Sequence, residues 1–251
     1  MIHLSDRLEL IANRIENGET MADIGTDHGF LPIYLKLSGK SPKVGLGDVS
    51  QPSLDKAREN ADRYATSEDN MYFRAGDGLN ILEFGEVDAV VIAGMGGKLI
   101  RDIMAADMAH TCSFKKFVLQ PRIGQGYLRK WLCDNGFTII HEDVVKERHH
   151  IPEVITVLSP EAEGSFSSLA KAQILERLQA FDGDDVKWRI PSWMPEAGGP
   201  VGDFLAKNIE MAEMKLDNVR KAKQRDISLE KRTEDEIAYL KSLKEEWEYG
   251  K

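Results

Sequence analysis

Seven short runs of β-branched and apolar residues, spaced by segments whose apolar residues recur at helical intervals, constrain this chain more than any other feature. They lie at 20–24 (TMADI), 43–48 (KVGLGD), 71–76 (MYFRAG), 87–94 (VDAVVIAG), 116–121 (KFVLQP), 137–145 (FTIIHEDVV) and 152–159 (PEVITVLS). Leu54, Ala57, Ala61 and Tyr64 follow the second run at helical spacing, and Leu128, Trp131 and Leu132 follow the fifth. Such alternation predicts βαβ units and a mainly parallel, doubly wound α/β sheet. The last two runs are joined only by KERHHI, too short for a crossover helix, so an antiparallel hairpin is expected at the end of the sheet. Ahead of the first strand, Leu4, Leu8, Ile11 and Ile15 predict a helix with Ser5 or Asp6 at its N-cap and Gly18 ending it.

After Ser159 the character changes, which sets expected domains of 1–160 and 161–251. A polar stretch, EAEGSFSS, leads to a helix with Leu169, Ala172, Leu175, Leu178 and Phe181 on one side, then to a Gly- and Pro-rich joint. Leu205, Ile209, Ala212, Leu216 and Val219 form a coiled-coil seam that breaks at Lys223. A capping box at Thr233 and Glu236 then predicts a second helix carrying Ile237, Leu240, Lys244 and Trp247, so the tail reads as an antiparallel helical hairpin. Such a seam serves stability or dimerisation as readily as ligand binding; a monomer is the expectation.

With 251 residues, 42% hydrophobic and 30% charged, the chain can bury one sizeable core plus an appendage. No apolar run reaches membrane-spanning length and the first residues are charged, so neither a membrane span nor a secretory signal is expected, and the cytoplasm is. Cys112 and Cys133 stand apart and read as buried thiols. The net charge of −9 excludes a generic nucleic-acid coat. Its distribution is uneven, however. Lys115, Lys116, Arg122, Arg129 and Lys130 lie in a stretch without acids, and Arg220, Lys221, Lys223 and Arg225 form a second cluster, continued by Lys231 and Arg232. These are solvated helix faces or, taken together, an RNA-facing surface.

The first run ends in Asp23-Ile24-Gly25-Thr26-Asp27-His28-Gly29 and a helix follows, which is where a doubly wound sheet places a ligand. The register D-x-G-x-D-x-G does not fit G-x-G-x-x-G, and Asp27 would repel a pyrophosphate. It suits a ligand carrying an ammonium and a sulfonium. Asp48 closes the second run, at the separation of an acid that receives ribose hydroxyls. Asp77, between Gly76 and Gly78 at the end of the third, is placed to accept from an adenine amino group. The fourth run ends in Ala93-Gly94-Met95-Gly96-Gly97, a nearly side-chain-free wall on which a planar base can lie. Gln120, after the fifth, is placed to bond a base edge, and Arg122 to meet a phosphate. Each carboxylate also has a plain use as a helix cap. His28, His149 and His150 lack a third ligand at metal spacing, so no metal is expected. Trp131, Trp188, Trp193 and Trp247 read first as packing residues.

These residues resemble the bacterial tRNA (adenine(22)-N(1))-methyltransferases, the TrmK family of class I S-adenosylmethionine-dependent enzymes. The resemblance spans Leu4-Ser5-Asp6-Arg7-Leu8, Ala22 to His28, Leu31-Pro32, Gly76-Asp77-Gly78-Leu79, Ile92 to Gly97 and Leu119-Gln120-Pro121; Thr26, Gly29 and Arg122 depart from it. It implies a seven-stranded Rossmann-like sheet, S-adenosylmethionine as donor without a metal, tRNA as partner and a helical carboxy-terminal domain that helps hold it. Donor contacts then fall to Asp23, Gly25, Asp27, His28, Gly29, Asp48, Val49, Gly76, Asp77, Gly78, Ala93, Gly94, Met95 and Gly96. Asp27, Gly94, Met95 and Gln120 fall at the reacting atoms. Arg7 joins the two basic clusters as an RNA contact. Read without the resemblance, the residues leave open a methyltransferase of a small molecule or protein, and a donor-binding module without turnover.

Overall fold

The computed structural model describes residues 2–64, 69–160, 162 and 182–250. Two compact units result, residues 1–189 and 190–251. The expected boundary at 160–161 adjoins undescribed residues, and the helix expected over Leu169 to Phe181 lies outside the described ones.

In the first unit a seven-stranded sheet runs β3-β2-β1-β4-β5-β7-β6. Its strands are β1 (Met21–Ile24), β2 (Val44–Asp48), β3 (Met71–Ala75), β4 (Ala89–Met95), β5 (Lys116–Pro121), β6 (Thr138–Val144) and β7 (Glu153–Leu158). The first five are mutually parallel, and β7 inserts antiparallel between β5 and β6, forming the hairpin that the short KERHHI connection requires. β1 and β5 are buried along their whole length, as parallel strands covered on both faces must be. One face packs Met21, Val44, Leu46, Ala89, Val91 and Val118 under α1 (Asp6–Asn13), α2 (Phe30–Leu37) and α3 (Gln51–Arg63). The other face lies under α4 (Gly97–Ala105) and α6 (Gln125–Asp134), with the short α5 (Met108–Cys112) between them in sequence.

The Ser5 hydroxyl caps α1 by accepting from the Leu8 amide. The helix stops at Asn13, earlier than the apolar spacing implies; Ile15 is buried from the following turn, and Gly18, at φ +90, reverses the chain. Cys112 and Cys133, expected to be buried, are partly exposed.

The short helix α7 (Val186–Arg189) ends this unit, and Trp188 within it is fully buried. The second unit contains a 3-10 turn (Met194–Glu196) and two long helices, α8 (Val201–Lys221) and α9 (Ile227–Tyr249), which pack on each other. Gly202 lies under the Trp247 ring, where a Cβ would approach within 2.3 Å, so the hairpin closes tightly at that end. The expected capping box is not where α9 begins. Asp226 caps the helix by accepting from the Leu229 amide, and the Thr233 hydroxyl donates to the Leu229 carbonyl in mid-helix. Leu243, rather than Lys244, completes the buried seam with Ile237 and Leu240. Among the described residues no helix is long and apolar enough to cross a membrane.

Candidate active site at the carboxyl edge of the sheet

Strand order reverses between β1 and β4, the point at which an open α/β sheet leaves a crevice for a ligand beyond its carboxyl ends. After Ile24 the chain turns so that the Gly25 and Thr26 amides both donate to the Gly47 carbonyl, at 2.8 and 3.1 Å. Asp27 follows at φ +47, a left-handed conformation that Asp tolerates better than most residues. This is why an acid can stand at this turn. Its amide donates to the Asp48 carboxylate at 3.3 Å; the Ser50 amide donates to the other Asp48 oxygen at 2.8 Å. The exposed Asp27 carboxylate lies 3.5 Å from His28 Nε2, and the His28 ring stacks on Phe30.

Asp23 is buried, and the Thr26 hydroxyl donates to it at 2.9 Å. Burial pushes its carboxyl up to about 6; the Thr26 bond and the Arg7 guanidinium oppose the rise, and the Asp48 charge adds to it. Asp23 and Asp48 are thus electrostatic neighbours at adjacent strand ends. At the next end the Gly76 amide donates to the Asp48 carbonyl, and Asp77 precedes a 3-10 turn (Gly78–Ile81) that makes no bond to its side chain. Asp77 is exposed, and no capping bond engages its carboxylate. Val49, also exposed, flanks Asp48.

From the other side of the crevice, β4 and β5 lose register between Ala93 and Met95, which places Gly94 in a bulge at φ +76 with open space where a Cβ would stand. The Met95 methyl lies over Gly25, where a Cβ would come within 2.2 Å of it, so the β1 and β4 loops meet. The Gln120 side chain is buried behind this wall. Its oxygen accepts from the Gly94 amide at 3.1 Å and from Arg7 Nη1 at 3.2 Å, and its nitrogen donates to the Pro121 carbonyl. Arg7 also donates to Glu147 at 3.0 Å. Gln120 thus braces the bulge from behind, and Arg7 links it to Glu147.

The methyltransferase-domain family matches residues 4–155. The tRNA (adenine(22)-N(1))-methyltransferase of Bacillus subtilis (strain 168) is 32% identical over 206 residues, 82% of this chain and 76% of that protein. The chain belongs to this family. The crystal structure of the B. subtilis M1A22 tRNA methyltransferase TrmK superposes with a TM-score of 0.76 at 25% identity, covering 97% of this chain and 100% of that one. The fold is also shared with M. capricolum TrmK in complex with S-adenosyl-homocysteine, at a TM-score of 0.69 and 21% identity over 96% and 99% of the two chains.

Within the family frame, the expected RNA contacts divide sharply. Arg129 is fully buried between Glu142 and Glu153 and donates to the Trp188 and Arg189 carbonyls, so it cannot reach a nucleic acid. Lys116 is buried against Glu19. Arg220 and Arg225 converge on Glu230 at the turn between α8 and α9, while Lys115, Lys130 and Lys221 pair at the surface with Asp88, Asp134 and Asp217. Arg122 and Lys223 are exposed and have no carboxylate partner among the described residues. The tryptophans pack: Trp131 against Phe137, Trp188 in the core, Trp247 over Gly202. Among the described residues no group of three or more metal-ligating side chains exists. Sequence reasoning missed the Thr26 bond to Asp23, although the i, i+3 spacing across a turn was there to be read. It also missed the link from Arg7 through Gln120, which joins residues more than a hundred positions apart and leaves no local trace.

Proposed function

We propose that this chain transfers the methyl group of S-adenosylmethionine to N1 of an adenine in tRNA, at position 22, working as a monomer in the cytoplasm. The observation that carries the reading is the crevice between β1 and β4. Carboxylates that suit an adenosyl sulfonium line one side of it and the bare Gly94 bulge the other, in a chain of this family.

The donor supplies a methyl on a sulfonium, and displacement there needs chiefly an in-line approach near 3 to 3.5 Å, an alignment worth up to about 7 to 11 kcal/mol. Asp48, with its carboxylate oriented by the Asp27 and Ser50 amides, receives the ribose hydroxyls. Asp77 accepts from the donor's adenine amino group, and Asp23 faces the cationic end. Adenine N1 is already a lone pair, so no strong base is required before attack. The methylated ring is cationic, and a carboxylate near its N6 stabilises it. Asp27, exposed at the mouth and steadied by His28, has that role. N1 lies on the pairing edge, so the base must leave its stack to react.

Incubating the protein with unmodified tRNA transcripts and S-adenosylmethionine, then mapping modified nucleosides by mass spectrometry, tests the reading. N1-methyladenosine at position 22 is expected; methyl transfer to no RNA would sink it. In the same assay Asp27→Ala is expected to lose turnover while donor affinity, read by calorimetry, stays within a few-fold.

A further inference from the structure

The turn between β5 and α6 carries two exposed side chains next to the glycine wall of the crevice. Ile123 is 72% exposed, and Arg122 beside it is exposed without a carboxylate partner among the described residues. Scattered surface isoleucines are common and mean little. This one differs in how it is held. The Arg122 amide donates to the Met95 carbonyl and the Gly97 amide donates to Ile123's own carbonyl, both at 2.7 Å, so the main chain is bonded to the glycine wall just before the Ile123 side chain and just after it. Gly124 follows at φ +75 and turns the chain into α6. Gly97 sits so close that a Cβ there would lie 2.4 Å from the Gly124 carbonyl oxygen. The Ile123 side chain is the nearest group to Gly96, with its Cγ1 3.8 Å from where a Cβ on Gly96 would stand.

A large apolar group is therefore presented to solvent on fixed backbone, beside a wall whose one side chain, that of Met95, lies over Gly25. An extruded base needs contact on its faces once it has lost its stacking neighbours, and apolar side chains supply it. We infer that Ile123 is the platform against which the target adenine lies when it enters the Gly94–Gly97 wall, with Arg122 meeting the phosphate backbone beside it. This inference rests on the function proposed above. The Arg122 charge favours a nucleotide within RNA over a free small molecule, since a phosphate at that rim would pair with it.

The test compares the full-length protein with Ile123→Ala and Ile123→Met on a tRNA transcript, measuring kcat and KM alongside the donor Kd by calorimetry. Loss of one stacking contact predicts a kcat/KM about tenfold lower for Ile123→Ala, with donor Kd within about twofold of the parent. Ile123→Met, which restores an apolar surface of similar size, is expected to return most of that loss. Unchanged kcat/KM in Ile123→Ala overturns the platform, as does a parallel loss of donor affinity, which would mark a merely structural role. Failure of the methionine variant to recover overturns it too. Donor binding by the parent protein without transfer to any tRNA overturns the proposed function, and the platform with it.

Discussion

Asp23 is a buried carboxyl whose ionisation carries a measurable cost. Its carboxyl, raised to about 6 from an ordinary 3.8, makes the folded state bind a proton more readily than the unfolded chain. Stability therefore rises as pH falls through about 6 toward 4, and above that window the ionised form costs up to about 3 kcal/mol. Asp23→Asn is expected to melt higher than the parent at pH 8, with the gain shrinking to nothing near pH 4. A cationic donor favours the ionised form, so its affinity for the parent should fall below about pH 6 while the variant's stays flat. Thermal melts and calorimetric titrations across this range check both signs. At this scale the acids at three strand ends were legible, because each follows a strand-like run and precedes a turn. The bonds that join Gln120 to the Gly94 amide and to Arg7 were not. A glutamine beside a bulge is equally able to bond a ligand or the main chain, and only the fold decides which partner arrives first.

Among the elements, α6 is anchored by the ion triad of Arg129, Glu142 and Glu153. The same guanidinium donates to the Trp188 and Arg189 carbonyls, capping the end of α7 and tying it to the hairpin of β6 and β7. Removing the cation leaves two buried carboxylates uncompensated, so Arg129→Ala is expected to lose about 3 to 5 kcal/mol in denaturant unfolding. Replacing all three residues by apolar ones of similar volume should recover much of that. From sequence Arg129 was a basic residue on a helix and nothing marked it as buried, since its partners lie on strands that follow it in the chain. The strands themselves were readable to within two residues at each end, because parallel strands buried on both faces are written as continuous apolar runs. The start of α9 was misplaced because Thr-x-x-Glu occurs inside helices as well as at their starts, and Asp226 had already capped this one.

For the molecule as a whole, a net charge of −9 and the proposed tRNA substrate are reconciled by which cations meet solvent without a carboxylate partner among the described residues. Each phosphate neutralised by an unpaired Lys or Arg contributes roughly −0.7 to −0.9 to the slope of log affinity against log salt. Arg122→Ala and Lys223→Ala are each expected to make that slope shallower by about one, in binding measured between 50 and 200 mM salt. Lys116→Met should leave the slope unchanged, because its ammonium is already neutralised by Glu19 away from solvent. The basic clusters were visible in the sequence, yet a one-dimensional count cannot separate cations that meet solvent from those the fold has already matched.

Gly97 carries a consequence of its own. Main chain meets main chain there, so the separation of the two turns is set by peptide geometry and does not vary with rotamers. The two turns are therefore locked to each other, and a single added methyl at Gly97, 2.4 Å from the Gly124 carbonyl oxygen, is the smallest wedge that would part them and shift the Ile123 turn from the wall.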